Sequence, residues 1–536
     1  MSDQTAKRWF LSPTERGNAN TAIDSVASQG RSWTEGNLVL ALVHGARYFE
    51  HLATELEGLG PGATVWFTDW RGDRDERLRA GGPTVGALLA ALAARGVDVR
   101  GLVWRSHPSA LSFSEAANRR LEEEINRSGG QVLLDQRVLP FGSHHQKLVV
   151  VGTQSGPSPT VAFVGGIDLC HARRDDLEHP GDPQPQPMGR RYGARAPWHD
   201  VQLEVRGPAA AQLEFCFRER WDDPTPLDDR TPARALLARL SGEPSHPSPL
   251  PPRRPAPAPA GPHAVQVLRT YPRRHRPFPF ARGGERSVAR ALIKAIGRAE
   301  RLIYIEDQYL WSAAVAHFLA ARLAARPALQ VIATLPRWPD SDGPLTGPPN
   351  RIGQLAALSL LQQAGGSRFG AYDIENPLAC PIYVHAKVCV IDDVWALVGS
   401  ANFNLRSWTH DSELSCAVID QTLDDRGPAE PTRPQEEPRV FARSLRVELW
   451  AEHLGRSPTD PELLNLEQAQ ELWRTSAARL ADWHLAGAVL PHPPERVTVH
   501  SPLPIPSGSG WWAGSLYRSV YDPDGRPRSV RRRGRF

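Results

Sequence analysis

The sequence has few cysteines, little lysine and no long apolar run. Its five cysteines are odd in number and show no C-x-x-C spacing, which argues against a disulfide framework or structural zinc. No stretch approaches the roughly 18 uninterrupted apolar residues that a membrane span needs. The first residues also lack the apolar segment of a secretory leader. We therefore expect a cytoplasmic protein without a transmembrane segment, associated at most peripherally with a membrane.

Charge of one sign is also limited. The net charge of +4 is small for 536 residues, and the arginine runs lie near residues 273–276 and after Arg526. A nuclease would instead show a continuous basic groove with interleaved aromatic residues. We therefore expect no obligatory nucleic-acid partner. The excess of arginine over lysine, together with abundant alanine, glycine and proline, is typical of a GC-rich, bacterial genome.

A repeated segment dominates what is present. His145-x-Lys147 lies on an apolar strand, which is followed by a turn and a second apolar strand that ends at a glycine corner, Gly165-Gly166. In the second half, His385-x-Lys387 leads through the same order to Gly399-Ser400. Residues two apart on a strand point to the same face. Two copies can therefore present two histidines and two lysines to one shared site.

The elements around the repeat also occur twice. The first half predicts a helix over 38–52, a strand over 63–70, a helix over 84–95 and a strand over 97–104. The second half predicts the same order over 287–299, 301–309, 313–325 and 329–334. Helices between strands indicate an α/β fold, here two similar α/β/α layered halves with mixed β-sheets. A fused duplication would relate the halves by a pseudo-two-fold axis, with the active site at their interface.

Composition predicts the boundaries of these units. Proline-rich segments cannot hold a helix or a central strand, so 243–264 is interpreted as a linker. The tail carries Trp511-Trp512 and an arginine run, and it is interpreted as flexible or as an anchor at a membrane surface. The expected units are a polar, poorly ordered lead-in that closes onto the first half (1–32), the first half (33–242), the linker (243–264), the second half (265–455), a helical segment (456–492) and a flexible tail (493–536).

The residues of the repeat suit a negatively charged phosphoryl group. Protonated lysine is a poor metal ligand, so the pattern predicts neither a metal nor another cofactor. Lysine ammonium, the Ser400 hydroxyl and the Asn402 amide are donors that can hold phosphoryl oxygens while charge develops on them. Asp69, Asp307, Gln308 and Tyr309 end strands near the same cleft, where they would either shape it or pack in the interior.

These residues resemble a known family. His385-x-Lys387-x4-Asp392 with Gly399-Ser400-x-Asn402 resembles the HKD motif of the phospholipase D superfamily, and His145-x-Lys147 with Gly165-Gly166 resembles its first copy. Three further stretches are similar to the lipid-cleaving branch, and the similarity extends over roughly residues 33–455. They are Phe163–Cys170, Trp198–Val201 and Tyr304–Tyr309.

The resemblance implies a metal-independent phosphodiesterase with a covalent phosphohistidine. His145 would be the nucleophile, and His385 the general acid and base. The catalytic set that the motif implies is His145, Lys147, His385, Lys387 and Asp392. Lys147, Lys387 and Asn402 would bind the phosphoryl oxygens, with Ser400 hydrogen-bonding in the same pocket.

Carboxylates that follow each strand pair are expected to orient the histidines. Within each half, Asp200 would pair with His145, and Glu413 would pair with His385. The first copy departs from the motif at Gly152, where the pattern has Asp; we interpret that Asp as a brace for the turn. It also has Gly166 where the second copy has Ser400, which we interpret as backbone room for the phosphate.

The leading hypothesis is a phospholipase D that hydrolyses glycerophospholipids to phosphatidic acid and the head alcohol, or transfers the phosphatidyl group to another alcohol. The alternatives are a phosphatidyltransferase of the cardiolipin-synthase type, an HKD-family nuclease and a catalytically dead scaffold. The expected partner is a phospholipid at a membrane surface. Because one chain carries both motifs, we expect a monomer with a pseudo-dimeric site.

Overall fold

The computed structural model has two sets of strands in the same order, joined side by side. It describes residues 2–27, 30–105, 115–153, 159–186, 188–227, 247–340, 346–427, 436–488, 491–505 and 510–536. The strands of the first half are β1 Thr34–Val43, β2 Thr64–Asp69, β3 Asp98–Trp104, β4 Gln131–Asp135, β5 Leu148–Gly152, β6 Val161–Gly165, β7 Trp198–His199 and β8 Val201–Arg206. Those that follow are β9 His263–Tyr271, β10 Glu285–Arg286, β11 Leu302–Glu306, β12 Gln330–Thr334, β13 Phe369–Ile374, β14 Tyr383–Val384, β15 Val388–Ile391, β16 Trp395–Gly399, β17 Glu413–Asp420 and β18 Val497–Val499.

Helices connect these strands in both halves. In the first half they are α1 Ser2–Trp9, α2 Pro13–Arg16, α3 Gly45–Leu56, α4 Val85–Ala94, α5 Glu115–Asn126 and α6 Pro208–Trp221. In the second half they are α7 Ser287–Ile296, α8 Ala313–Ala325, α9 Gly347–Gly365, α10 Leu405–Thr409, α11 Val440–His453, α12 Ala469–Leu485, α13 Gly510–Leu516 and α14 Arg528–Arg532. None of the helices in the described ranges combines the length and apolarity needed to cross a bilayer.

The order of the strands is symmetric about the pair β1 and β9. From β1 outward the order is β8, β6, β5, β2, β3 and β4, and from β9 outward it is β17, β16, β15, β11, β12 and β13. β2, β3 and β4 run parallel to one another, as do β11, β12 and β13, whereas the strands nearer the centre pair antiparallel and β18 adds an antiparallel edge beside β13. The predicted duplication into two α/β halves with mixed sheets is therefore confirmed.

The fold has three large apolar cores, one of which lies between the halves. One core lies between α3, α4, α5 and the outer face of the first sheet, and a second lies between α7, α8, α9 and the outer face of the second sheet. The third fills the interface, where β16 and β17 pack against β6 and β8. The strands that carry the repeat are buried along their whole length, as expected for valine-rich strands covered on both faces.

The predicted helix over 38–52 is wrong in its first part. Thr34–Val43 forms β1, and α3 begins only at Gly45. The alternation of Leu38, Leu40 and Leu42 follows the period of a strand, and β1 pairs on both sides with β8 and β9. The other predicted helices and strands of the two halves are present, with boundaries shifted by a few residues.

The two ends of the chain differ from the sequence expectation. The lead-in packs on the second half, where Trp9, Phe10 and Leu11 join the apolar core of α7. In the tail, β18 pairs antiparallel with β13, and the Tyr517 hydroxyl donates to the Trp311 carbonyl across 2.7 Å. Both segments contain apolar side chains that a folded partner can bury. Residues 243–246 of the linker lie outside the described residues, while 247–262 contain no helix or strand.

Candidate active site

Each His-x-Lys segment is held by the backbone of the other half. β14 pairs in parallel with β7, and the His385 N–H donates to the His199 carbonyl across 2.8 Å. At the equivalent position of the first motif, His144 forms a parallel β-bridge with Ser412, and the His145 N–H donates to the Ser412 carbonyl across 2.9 Å. Asp200 directly follows His199, and Glu413 directly follows Ser412. His385 therefore lies beside Asp200, and His145 lies beside Glu413.

This pairing crosses the histidine–carboxylate contacts between the halves. Nδ1 of His385 lies 2.6 Å from Oδ2 of Asp200, and Nδ1 of His145 lies 3.0 Å from Oε2 of Glu413. The predicted pairing within each half is therefore wrong, although both carboxylates contact a motif histidine. The reason is topological: the parallel bridges bring each histidine to the other half's strand.

The proton position on His145 follows from its second contact. Nδ1 also lies 3.0 Å from the carbonyl oxygen of Ser400, and a carbonyl oxygen can only accept. We therefore assign the proton to Nδ1, which leaves Nε2 with a free lone pair. The His145 side chain is 15% exposed and that of His385 is 6% exposed, so His145 is the more accessible of the two.

Burial and nearby cations keep both imidazoles neutral. The pKa of His145 lies well below its usual value because of burial and the charges of Lys147 and Lys387. The pKa of His385 is also well below its usual value because of burial, Lys387, Arg173 and Lys147. An anionic group bound among these cations would offset their charge, and it would raise both pKa values.

Both motif lysines are buried at the interface. Lys147 donates to the His145 carbonyl across 3.0 Å and lies 3.4 Å from the Asp168 carboxylate. Lys387 donates to the His385 carbonyl and, across 3.2 Å, to Oε1 of Gln308. Burial, followed by opposing effects of Asp200 and Lys147, lowers the pKa of Lys387 to about 7. The site therefore concentrates positive charge where the sequence predicted a phosphoryl group.

The two glycine corners, Gly165-Gly166 and Gly399-Ser400, differ in their contacts with the orienting carboxylates. Ser400 donates its hydroxyl to Oε2 of Glu413 across 2.5 Å, and it accepts from the Leu414 N–H. At Gly166, an added Cβ would lie 2.0 Å from Oδ1 of Asp200. Gly166 therefore leaves room for the carboxylate that orients His385, rather than directly for a phosphate.

The residues two positions after the corner also differ. Oδ1 of Asn402 is buried and has no hydrogen-bond partner among the described residues. Asp168 occupies the equivalent place in the first half, where it accepts from the Trp70 N–H across 3.0 Å and faces Lys147. The sequence analysis missed Asp168, although the alignment of the two corners gives its position.

Asp392 lies at the far end of β15 from His385 and Lys387. Its carboxylate accepts from the backbone N–H groups of Glu300, Arg301 and Leu302 across 2.8, 2.9 and 2.8 Å. Five strand residues span about 16 Å, so Asp392 braces the turn and does not reach the histidines. Asp392 is therefore not a catalytic residue, contrary to the prediction. These contacts agree with its interpretation as a brace for the turn. Gly152, its counterpart, ends β5 opposite Thr64.

An aromatic cleft leads away from the second lysine. Its enclosed volume is only about 20 Å³, and its lining residues are Gln308, Tyr309, Trp311, Pro336, Arg337, Trp338, Pro339, Asn350, Arg351, Gln354 and Leu503. Gln308 also donates to the hydroxyl of Tyr383 across 2.7 Å. Asp307 lies behind the cleft, where it accepts from the Phe403 N–H across 2.7 Å and so holds the second corner.

Comparisons with known proteins identify the family of the chain. The family model described as Phospholipase D matches residues 69–319 and 371–487, and the one described as Cardiolipin synthase, PLD-like domain, matches 292–426. Phospholipase D alpha 1 of Cynara cardunculus is 25% identical over 558 residues, covering 78% of this chain and 66% of the relative. Phospholipase D gamma 1 of Arabidopsis thaliana is 27% identical over 577 residues, covering 80% of this chain and 65% of the relative.

The chain thus spans just under two thirds of the length of these curated relatives. Among solved structures, the phosphatidylserine synthase of Haemophilus influenzae Rd KW20 matches with a TM-score of 0.48 and 13% identity, covering 74% of this chain and 86% of that chain. The first family model covers more than half of the chain and includes both His-x-Lys segments. The chain belongs to the phospholipase D family.

Proposed function

We propose that this protein cleaves the distal phosphodiester of glycerophospholipids through a phosphohistidine on His145. The observation that carries the proposal is the crossed pair of histidines, each with a carboxylate at Nδ1 and with a buried lysine two residues away. Such an arrangement provides one nucleophile, one proton carrier and two cations for the phosphoryl oxygens. The lysines supply the charge stabilisation that a metal ion supplies in other phosphodiesterases.

In the first step, Nε2 of His145 forms a bond to phosphorus as the bond to the head alcohol breaks. His385, protonated while the phosphate is bound, gives its Nε2 proton to the leaving oxygen. Lys147, Lys387 and Asn402 hold the non-bridging oxygens. Glu413 and the Ser400 carbonyl keep the proton on Nδ1 of His145 and stabilise the positive charge that forms on its ring.

In the second step, His385 takes a proton from water or from an acceptor alcohol. The oxygen of that molecule forms the new bond to phosphorus, and the bond to His145 breaks. Water gives phosphatidic acid, and an alcohol gives a phosphatidyl alcohol. Both histidines are then in their starting protonation states, so the cycle needs no further reactant.

The proposed substrate class rests on the cleft and on the relatives. Tyr309, Trp311 and Trp338 line the small cleft at Gln308, which accepts a hydrogen bond from Lys387, and aromatic rings suit the apolar part of a lipid or a quaternary ammonium headgroup. The curated relatives named above are phospholipases D. We further propose that the protein is a monomer that works peripherally at a membrane surface from the cytoplasm.

The two histidine variants test the roles on a phosphatidyl p-nitrophenol, whose leaving group needs no proton. His385→Ala should release about one equivalent of p-nitrophenolate per chain in a burst and retain a phosphatidyl adduct by intact mass. His145→Ala should show neither burst nor adduct. An adduct on His145→Ala alone would reverse the roles, and a wild-type protein inactive on phospholipids but active on single-stranded DNA would refute the lipid proposal.

A transferase reaction is the second candidate, because residues 292–426 match the cardiolipin synthase model. The same intermediate would then react with an alcohol on a second lipid, such as the glycerol of phosphatidylglycerol. Incubating the protein with phosphatidylglycerol alone distinguishes the reactions. Phosphatidic acid as the main product supports hydrolysis, whereas a diphosphatidyl product with release of glycerol supports transfer.

A further inference from the structure

A buried cluster of histidines and glutamates lies behind Asp200, and the chemistry proposed above does not use it. Its members have between 0 and 9% of their surface exposed; they are His44, His179, His199, Glu306, Glu452 and His453. His199 directly precedes Asp200, and the His44 N–H donates to the Asp200 carbonyl across 2.9 Å. The cluster therefore lies against the backbone that holds the orienting carboxylate of His385.

The cluster draws on both halves of the chain. His44 precedes α3, His179 lies in the loop before β7, and His199 ends β7. From the second half, Glu306 ends β11, and Glu452 and His453 end α11. Apart from the adjacent Glu452 and His453, these residues are far apart in sequence, and the interface between the halves brings the two sets together.

Four of these residues place possible donor atoms close together. One ligand atom from each of His44, His179, His199 and Glu452 lies within 4.8 Å of the others. Nε2 of His179 is 2.9 Å from Oε1 of Glu452, and Nδ1 of His199 is 3.7 Å from the same oxygen. Ligands of a tetrahedral ion with bonds of about 2.0 Å lie about 3.3 Å apart, so small side-chain shifts would bring these atoms to coordination distance.

Three imidazole nitrogens in the cluster have no hydrogen bond. They are the Nδ1 atoms of His44, His199 and His453, which are buried and lack a partner among the described residues. A network of hydrogen bonds between histidines and carboxylates accounts for the contacts of His179 but leaves these atoms unmet. Buried polar atoms are normally paired, so the unpaired nitrogens of His44 and His199, both in the group of four, point to a missing ligand; His453 lies outside that group.

From this geometry we infer that the cluster is a structural site for a divalent transition-metal ion, with Zn²⁺ the best fit. The ligands are Nε2 of His179, Nδ1 of His199, Oε1 of Glu452 and one ring nitrogen of His44. Three imidazoles and one carboxylate are ligands that Zn²⁺ takes in tetrahedral geometry.

The surrounding carboxylates match this assignment. His179 places its other nitrogen 3.3 Å from Oδ2 of Asp175, and His199 places its other nitrogen 2.9 Å from Oε2 of Glu306. Histidine ligands of metals usually donate their second N–H to a carboxylate in this way, which fixes the ring and the tautomer. Asp175 is itself held by the N–H groups of Trp198 and Gly181.

A bound ion would join the halves behind the active site. It would link His44, His179 and His199 of the first half to Glu452 of the second, and it would hold the backbone at residues 199–200. The ion is therefore structural: it positions Asp200 and does not contact the phosphodiester. This inference rests on the cluster alone and does not depend on the proposed reaction.

Metal content and thermal stability test the site without an activity assay. The full chain is purified without a polyhistidine tag, its metals are measured by mass spectrometry, and its unfolding is followed before and after dialysis against a chelator. We expect about one Zn²⁺ per chain, a lower Tm after chelation and recovery of Tm with added ZnCl₂. No bound metal together with no change of Tm on adding ZnCl₂ would overturn the inference.

Two substitutions localise the ion. His179→Gln should lose the metal and the response of Tm to ZnCl₂. His500→Gln is the matched control, because His500 is also buried and contacts a carboxylate, Asp373, at 3.2 Å, but lies outside the cluster. Metal retained by His179→Gln would contradict the site. If that variant does not fold, visible absorption of the Co²⁺-substituted wild-type protein decides: tetrahedral bands support the site, and octahedral bands contradict it.

Discussion

His385 and Asp200 come from opposite halves of the chain, yet Nδ1 of the histidine lies 2.6 Å from Oδ2 of the carboxylate. His145 and Glu413 repeat this relationship in the reverse direction. Each half therefore contributes to the orientation of the other's histidine. Neither half holds a complete histidine–carboxylate pair, and this gives a structural reason for keeping both copies in one chain.

Asp200→Asn should impair His385 selectively. An amide cannot both accept from Nδ1–H and balance the charge of an imidazolium, so kcat for phosphatidylcholine should fall by about 10²–10⁴-fold. The loss should be much smaller for a phosphatidyl p-nitrophenol, whose leaving group needs no proton. Asp420→Asn, which removes a buried carboxylate 3.2 Å from Nε2 of His263 and outside the site, is the control and should leave both rates unchanged. Equal losses on both substrates would contradict the assignment of His385 as the general acid.

Gly166→Ala should displace Asp200 although it changes no polar group. The added Cβ would lie 2.0 Å from Oδ1 of Asp200, so the carboxylate must move away from His385. Misplacing such a group by about 1 Å can cost about 10²-fold in kcat. Gly60→Ala is the control, because nothing lies within 4 Å of a Cβ there. A variant with full activity would show that the corner tolerates the methyl group and that the Asp200 contact is not needed.

The duplication and the four His/Lys positions could be predicted because each depends on local sequence. Each His-x-Lys segment was expected on a strand and directly precedes one, since β5 begins at Leu148 and β15 at Val388; the order of elements repeats. The crossed pairing could not be predicted, because it depends on which half's strand lies beside β7 and β14. The buried cluster of histidines and glutamates behind Asp200 could not be predicted for the same reason. His44, His179, His199 and Glu452 share no local motif, and the spacing of the cysteines carries no information about them.

The ends of the chain show a second limit. The tail reads as polar and proline-rich, but Phe536 packs against Trp408 with ring centroids 5.5 Å apart. A few apolar side chains in a polar segment are enough for docking when a folded surface offers a place for them. Composition averages over the segment and therefore does not detect these anchors.

Lys387 should set the alkaline limb of the pH profile. Burial lowers its pKa to about 7, so as the pH rises through this value the ammonium loses its charge and phosphate binding weakens. We expect kcat/KM to fall above about pH 7 in wild type. In Lys387→Arg the guanidinium stays charged up to about pH 12, so this limb should disappear even though the rate is lower. A limb that persists unchanged in the variant would assign it to another group.

Trp511 should contribute to binding at a membrane surface. Its side chain is 82% exposed on α13, and tryptophan prefers the headgroup level of a bilayer. Deleting the tail would be a poor test, because Asp522 accepts from the Arg406 N–H and Tyr517 donates to Trp311. Trp511→Ala should instead weaken binding to anionic vesicles by about tenfold, or 1.4 kcal/mol, measured by sedimentation. Leu485→Ala, at a residue 86% exposed, controls for loss of any exposed apolar side chain; equal losses in both variants would contradict a specific role for α13.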